Sequence, residues 1–391
     1  MIEPGWFASV TSLAGNVKRS DQVLSRSTWF RWLAFVFVGV LAAGLVAACG
    51  GGSQNAGGSN STSTTSLVSS ARCNRNKAAG TITFISPFGY DAAAGLMDVF
   101  MAQHLGYFKD LCLNVAINAS AQNGQQLVSA GRAQFTSIGS AADHLLAKAN
   151  GANITAVATY GDQDPHVIYT QSKITSLKQL KGGTLGYHIN VTPAADAMLV
   201  AAGVDPKTVK FIALTSFDPT VVTRGQIDGA IGYASNEPNE LRLAGQKFNE
   251  FLPSRYGVGG TYTVMQANTT WLNQHRAVAA DWMRADLKAL QYCITNQATC
   301  VSYMTGLAKS NGLGTAFTPA LETKVWATES AYVLKNNGLP PGVQTFSAWQ
   351  PSVTLVKRYS GVKNVPPLSQ VMDPALVASL YQGKTLIWPG T

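Results

Sequence analysis

Between Thr81 and Gln266 the chain alternates short β-branched, apolar runs with longer stretches of helical spacing, and it does so twice. The first series opens with a strand, Thr81-Ile-Thr-Phe-Ile85, followed by a helix over Ala92–His104 for which Asp91 is the expected N-cap. A strand over Leu113–Ile117, a helix near Gln125–Ala130 and a strand over Gln134–Ile138 come next. Ser140-Ala-Ala-Asp143 is a capping pattern that opens the next helix, and Ile154–Tyr160 is the fourth strand. His166–Thr170 reads as an extended crossing segment, and then the pattern restarts. Strands at Thr184–Tyr187 and Val209–Leu214 flank a helix capped by Thr192 and begun by Pro193. A further strand surrounds Ala230–Ile231, and Tyr262–Gln266 is the return crossing. Such alternation requires mostly parallel, helix-covered sheets. Two series joined by two extended crossings therefore predict an α/β protein of two lobes with a ligand cleft between them. The expected division is residues 79–167 and 260–391 for the first lobe and 168–259 for the second.

Of the 391 residues 46% are hydrophobic and 13% charged, enough apolar mass for a core in each lobe. The formal net charge of +9 is scattered, with no Lys/Arg run and no basic stripe interleaved with aromatics. That speaks against a nucleic-acid partner and for weak attraction to anionic surfaces.

The N-terminus carries a separate message. Trp32–Ala48 is an uncharged apolar run behind Arg26 and Arg31, and it ends Leu45-Val-Ala-Ala-Cys49-Gly50. This describes an export signal over residues 1–48 with a long n-region. Its ending resembles the bacterial lipobox, which implies a Cys49 acylated as the mature N-terminus and a protein held in the bilayer at the outer face of the cytoplasmic membrane. An uncleaved anchor is the alternative, since the run is near the lower length for spanning. Residues 49–78, rich in Gly, Ser, Thr and Asn at their start, are expected to form a flexible tether.

With Cys49 acylated, Cys73, Cys112, Cys293 and Cys300 form an even set that allows three pairings. The expected pairs are Cys73–Cys112, stapling the lead-in to the second strand, and Cys293–Cys300, closing a short loop between helices. Buried free thiols are the alternative. A metal site is not indicated: there is no Cys-x-x-Cys, and His104, His144, His166, His188 and His275 are at least 22 residues apart. No Gly-x-Ser-x-Gly elbow, His-Glu-x-x-His or phosphate loop is present either.

The most suggestive polar stretch is Gly225-Gln-Ile-Asp-Gly-Ala-Ile-Gly-Tyr233-Ala-Ser-Asn-Glu237, which delivers an aromatic ring and a carboxylate at the end of an apolar strand. If the chain is helical there, Tyr233 and Glu237 share a face. The plainer alternative is a surface helix start with Glu237 paired to Arg242 in solvent.

The order of elements, with "Gly106-Tyr-Phe", "Ser129-Ala-Gly-Arg-Ala-Gln-Phe135", "Gly151-Ala-Asn-Ile", "Ser176-Leu-Lys-Gln-Leu-Lys-Gly182" and "Gly225-Gln-Ile-Asp-Gly-Ala230", resembles a family of ABC-importer solute-binding proteins. That family contains sulfonate, taurine and nitrate receptors together with thiamine-pyrimidine receptors, and the likeness covers roughly Thr81–Tyr292. The resemblance implies a type II periplasmic-binding-protein fold, a two-strand hinge, closure on a small solute and docking on a membrane permease. It implies a monomer with no cofactor. The candidate ligand-binding residues are Ser86, Phe88, Tyr90, Asp91, Ser137, Ser140, Tyr160, Tyr187, Thr192, Tyr233 and Glu237. The Tyr233/Glu237 pair looks like the one thiamine-pyrimidine receptors use on an aminopyrimidine. The chain departs from those receptors in having Phe88 and Tyr90 where they tend to carry Trp after the first strand.

Helix N-termini at Ser140 and Thr192 would suit a sulfonate, nitrate or phosphate. An anion about 4 Å from Glu237, however, would be disfavoured by about 4 kcal/mol at an effective dielectric near 20, roughly a thousandfold in affinity. A heteroaromatic donor would gain about 1.5–3 kcal/mol from a charge-assisted hydrogen bond. That balance holds unless Arg224 or Arg242 neutralises Glu237. The expected function is capture of a thiamine-pyrimidine precursor or riboflavin-like solute, with a sulfonate, taurine or nitrate receptor as the alternative. Proteins of the related fold also synthesise pyrimidines, so an exported enzyme is the remaining reading.

Overall fold

In the computed structural model of the protein, residues 67–119 and 123–390 are described, within the compact unit Ser63–Thr391. The export signal, Cys49 and the start of the tether lie outside the described residues.

Ten strands form two five-stranded sheets. They are β1 (Thr81–Ile85), β2 (Asn114–Asn118), β3 (Phe135–Ile138), β4 (Ile154–Gly161), β5 (His166–Gln171), β6 (Thr184–Tyr187), β7 (Lys210–Ala213), β8 (Gly229–Tyr233), β9 (Phe248–Phe251) and β10 (Tyr262–Asn268). The first sheet has the order β2-β1-β3-β10-β4, the second β7-β6-β8-β5-β9. Both are mixed, with four strands running one way and one against them. β1 runs parallel to β2 and β3, and β6 to β7 and β8. β10 and β5 are antiparallel to both of their neighbours. These are the strands that arrive from the other lobe without a crossover helix to turn them round. The two passages, residues 162–165 and 252–261, run side by side because β4 and β10 pair, with Gly161 opposite Tyr262.

β4 lies at an edge, yet all its residues are buried. The C-terminal segment covers it through Ala156 N–H to Val371 O at 3.0 Å and Thr159 N–H to Gly342 O at 3.2 Å, which removes a sticky edge.

The helices used below are α1 (Ser70–Ala78), α2 (Met97–His104), α3 (Ala141–Ala149), α4 (Pro193–Ala201), α5 (Glu237–Leu243), α6 (Arg276–Thr295), α7 (Gln297–Ser310), α8 (Pro319–Lys335) and α9 (Phe346–Tyr359). Phe135 stacks on Trp282 at 4.0 Å in the core of the first lobe. Ile168, Leu185, Met198 and Ile231 build the core of the second. α9 packs on α3 and on α4, placing Trp349 beside one lobe and Leu355 in the core of the other. α8 likewise touches β4 and α5. Two C-terminal helices thus strap the lobes together. Among the described residues, no helix is long and apolar enough to cross a membrane.

Both expected disulfides form, with Cα–Cα distances of 5.1 Å for Cys73–Cys112 and 5.7 Å for Cys293–Cys300. Two expectations need correction. Residues 70–78 are not flexible tether but the ordered α1, capped by Ser69 and clasped to α6 through Arg72 and Asp281. Asp91 caps no helix, because α2 begins only at Met97. Gly95, at φ +81°, holds a conformation that a right-handed helix does not contain, and it ends the expected first turns.

Candidate functional site

The loops after β1 and β3 meet the turn after β8, at the carboxyl ends of parallel strands where open α/β sheets hold ligands. Tyr233 stands at the centre. Its ring lies edge-on to Phe88 at 5.9 Å and stacks on His166 at 5.1 Å. Its hydroxyl reaches Gly139 of the first lobe, where a Cβ would sit 2.5 Å from that oxygen. A glycine is what lets the two lobes approach there.

Tyr233 and Glu237 do come together, though not on a helix face. Tyr233 ends β8, and Glu237 opens α5 with Pro238 in its first turn. The Glu237 carboxylate folds back and accepts the Tyr233 N–H at 2.8 Å. Gly232 permits this, since a Cβ on it would lie 2.5 Å from the carboxylate. Burial pushes the Glu237 carboxyl up to about 7, against the backbone hydrogen bonds that favour its charge. Neither arginine neutralises it: Arg224 pairs with Asp218 at 2.9 Å and Arg242 with Glu250 at 2.5 Å.

His166 bonds Asp164, with Nδ1–Oδ1 at 2.6 Å. Burial alone would lower its pKa, but Asp164, with Asp143 and Glu237 behind it, raises it to about 9. The imidazolium is therefore already matched by an acid.

The remaining carboxyls come from residues that sequence reasoning passed over. Glu329 of α8 accepts from Ala94 N–H at 2.7 Å, from the Tyr262 hydroxyl, and from Ser235 Oγ of the second lobe at 2.8 Å. Glu322, two turns earlier, accepts the Ala92 N–H at 2.6 Å. Asp91 accepts the Asn236 amide at 2.9 Å, across the seam. Burial pushes Glu322 up to about 9, Glu329 well above the carboxylate range, and Asp91 upward as well. A signal was present in α8: Glu322, Val325, Trp326, Glu329 and Val333 fall at helical spacing on its buried stripe. Two acids on an apolar stripe are out of place unless something uses them.

The other expected site residues are placed as follows. Ser86 holds its own turn by donating to Gly89 O at 2.6 Å. Tyr90 packs on Phe100 and Phe317. Ser137 is buried in β3 against Gly95. Ser140 caps α3 and donates to Asp143 at 2.8 Å, and Thr192 caps α4 through Ala195 N–H at 3.3 Å. Tyr187 is half-buried against the second core. Tyr160 donates to Asp286 at 2.6 Å inside the first lobe, beside a buried Asp98 that burial raises to about 7. The structure thus gathers Phe88, Asp91, Tyr233 and Glu237 at the seam. The lobes are closed on one another there. Surface depressions of about 430 Å³, bordered by Arg242, Lys247 and Arg255, and of about 230 Å³, bordered by Tyr107 and Lys288, include none of these four residues.

The fold that carries this seam occurs in known structures. The ligand-binding component of an ABC-type import system from Staphylococcus aureus, with zinc bound, is 16% identical, with TM-score 0.56, covering 76% of this chain and 98% of its own. The periplasmic aliphatic sulphonate binding protein SsuA from Escherichia coli is 14% identical, with TM-score 0.56 and coverage of 76% and 99%. The desulfurization enzyme DszB is 10% identical, with TM-score 0.53 and coverage of 76% and 98%. The fold is that of periplasmic binding proteins. No curated protein matches by sequence. Residues 94–299, more than half of the 391, match the family model described as NMT1/THI5 like. The chain belongs to the NMT1/THI5-like family.

Proposed function

We propose that this protein is the extracytoplasmic solute-binding component of an ABC importer, and that its solute is a small heteroaromatic bearing amino groups, of the thiamine-pyrimidine or flavin type. One observation carries the reading: the seam gathers aromatic rings and buried carboxyls, and its one cation among the described residues, His166, is already matched by Asp164. A ring with N–H donors gains from that composition. A sulfonate or nitrate does not. The sulfonate alternative draws on the SsuA likeness and on the N-termini of α3 and α4, but Ser140 and Thr192 already accept a first-turn N–H there. The enzyme alternative draws on DszB. Against it, the four described cysteines are all in disulfides and offer no thiol nucleophile. Within this reading Cys49 is acylated, the tether holds the body near the membrane, and the closed form, a monomer, docks on a permease.

The test is a thermal-shift screen of pyrimidines, flavins, alkanesulfonates and inorganic anions, because a ligand that binds the native state raises its melting temperature. An aminopyrimidine or flavin is expected to stabilise the wild type, and Tyr233→Ala to remove that shift while folding normally. A shift given only by alkanesulfonates, and kept by Tyr233→Ala, would overturn the reading.

A further inference from the structure

We propose that closing the lobes takes up a proton, shared by Asp91 and Glu322, so that the seam latches in mildly acidic surroundings and loosens as the pH rises. The inference rests on the solute-binding reading only for its consequence, a pH-dependent affinity. The latch itself is read from the seam.

Two side-chain hydrogen bonds join the turn after β8 to Asp91 and to its neighbour Glu329: Asn236 Nδ2 to Asp91 Oδ2 at 2.9 Å and Ser235 Oγ to Glu329 Oε1 at 2.8 Å. Both donors are neutral, and both acceptors are buried carboxyls, 6% and 4% exposed. Glu322, 1% exposed, accepts the N–H of Ala92, the residue next to Asp91, and so sets a second buried carboxyl beside it. Two carboxylates repel, and a carboxyl pair bonds only with a proton between its oxygens. Asp91 Oδ1 is buried with no other donor, and the Ala92 N–H occupies Glu322 Oε2. The proton therefore belongs on Glu322 and points at Asp91, leaving Asp91 Oδ2 free to receive Asn236.

The surrounding elements do not supply the missing positive charge. α8 brings Glu329, α2 brings Asp98, the start of α5 brings Glu237, and β10 brings the Tyr262 hydroxyl. No Lys, Arg or His side chain bonds Asp91, Glu322 or Glu329 among the described residues. Opening the seam removes Asn236 and Ser235 and admits water to the cluster of Asp91, Glu322 and Glu329, where carboxyls titrate in their ordinary range. The closed form therefore binds more protons than the open one. Its advantage is complete below the ordinary value of about 4.5 and is lost as the pH rises through about 9, the closed-state value for Glu322. One proton per closure changes the closed-to-open ratio by up to about tenfold per pH unit within that window.

The experiment is single-molecule energy transfer on the full chain, without solute, between dyes at the exposed Lys207 of the second lobe and Lys309 of the first, from pH 5 to 9. The closed fraction is expected to fall as the pH rises. Glu322→Gln, whose amide donates to Asp91 at every pH, should hold the seam closed at pH 9 and flatten the profile. Asn236→Ala, altered on the opposite lobe, should lower the closed fraction at pH 5 and reduce the slope. A closed fraction independent of pH in the wild type overturns the proposal, as does a Glu322→Gln protein that keeps the wild-type slope. Because no solute is present, a protein that binds no heteroaromatic but shows this profile loses the solute reading alone. One that binds its heteroaromatic with no pH-dependent closure loses the latch alone.

Discussion

Two groups of buried acids in this molecule are built on opposite plans. Asp281 of α6 receives Arg72 at 2.6 and 3.0 Å, Arg75 at 2.8 Å and Asn76 at 2.8 Å, while Arg72 also donates to Pro389 O and Gly390 O. That clasp joins both ends of the described chain, and the one acid in it is more than matched by its arginines. At the seam, Asp91, Glu322 and Glu329 meet neutral donors and one another. An acid buried with its counter-charge is architecture. Acids buried without one raise the energy of the closed form until a proton or a donor-bearing guest relieves them, and that is a property of a site.

Breaking the clasp gives the largest expected effect. Asp281→Ala leaves Arg72 buried without a counter-charge and should lower unfolding stability by about 3–5 kcal/mol, read by chemical denaturation. Gly139→Ala comes next. Its methyl would meet the Tyr233 hydroxyl, so overpacking of about 1–3 kcal/mol should appear as lost solute affinity, roughly 5–150-fold, in a calorimetric titration. Glu322→Gln sharpens the contrast because its sign differs. At pH 8 it should leave stability unchanged or raise it by about 1 kcal/mol, where Asp281→Ala lowers it.

A pH series separates the two plans without mutation. Burial raises Asp98 to about 7, Glu237 to about 7 and Glu322 to about 9, from ordinary values of 3.8, 4.5 and 4.5. Their contribution is complete below those ordinary values and is lost as the pH rises through about 7–9. His166, raised to about 9, contributes fully below 6.5 and loses its share above 9. Urea midpoints should therefore fall from pH 5 to 9. Arg224→Ala, at the exposed Asp218 pair, should give the smallest effect, under about 0.5 kcal/mol.

Much of this fold is legible in the sequence because periodicity is local. The strands, the caps at Ser140 and Thr192, and a disulfide across the turn between α6 and α7 need only neighbouring residues. The orientation of β5 and β10, each set against four strands that run the other way, is not local and follows from their entry from the opposite lobe. Pro238 did contain the answer to the Tyr233/Glu237 question: a proline in the first turn starts the helix near 237 and leaves Tyr233 on the strand. The seam was the least readable part. Asp91 lies 145 residues from Asn236, and Ser235 lies 94 from Glu329, so only the assembled lobes bring them together.

Calorimetric titration of the full chain with an aminopyrimidine of the thiamine type and with an alkanesulfonate, for wild type and for Glu237→Gln, is the most direct test. The pyrimidine should bind the wild type and lose roughly tenfold or more in affinity with Glu237→Gln, and the sulfonate should bind neither. Tight sulfonate binding that Glu237→Gln leaves unchanged or improves would contradict a seam built for donors.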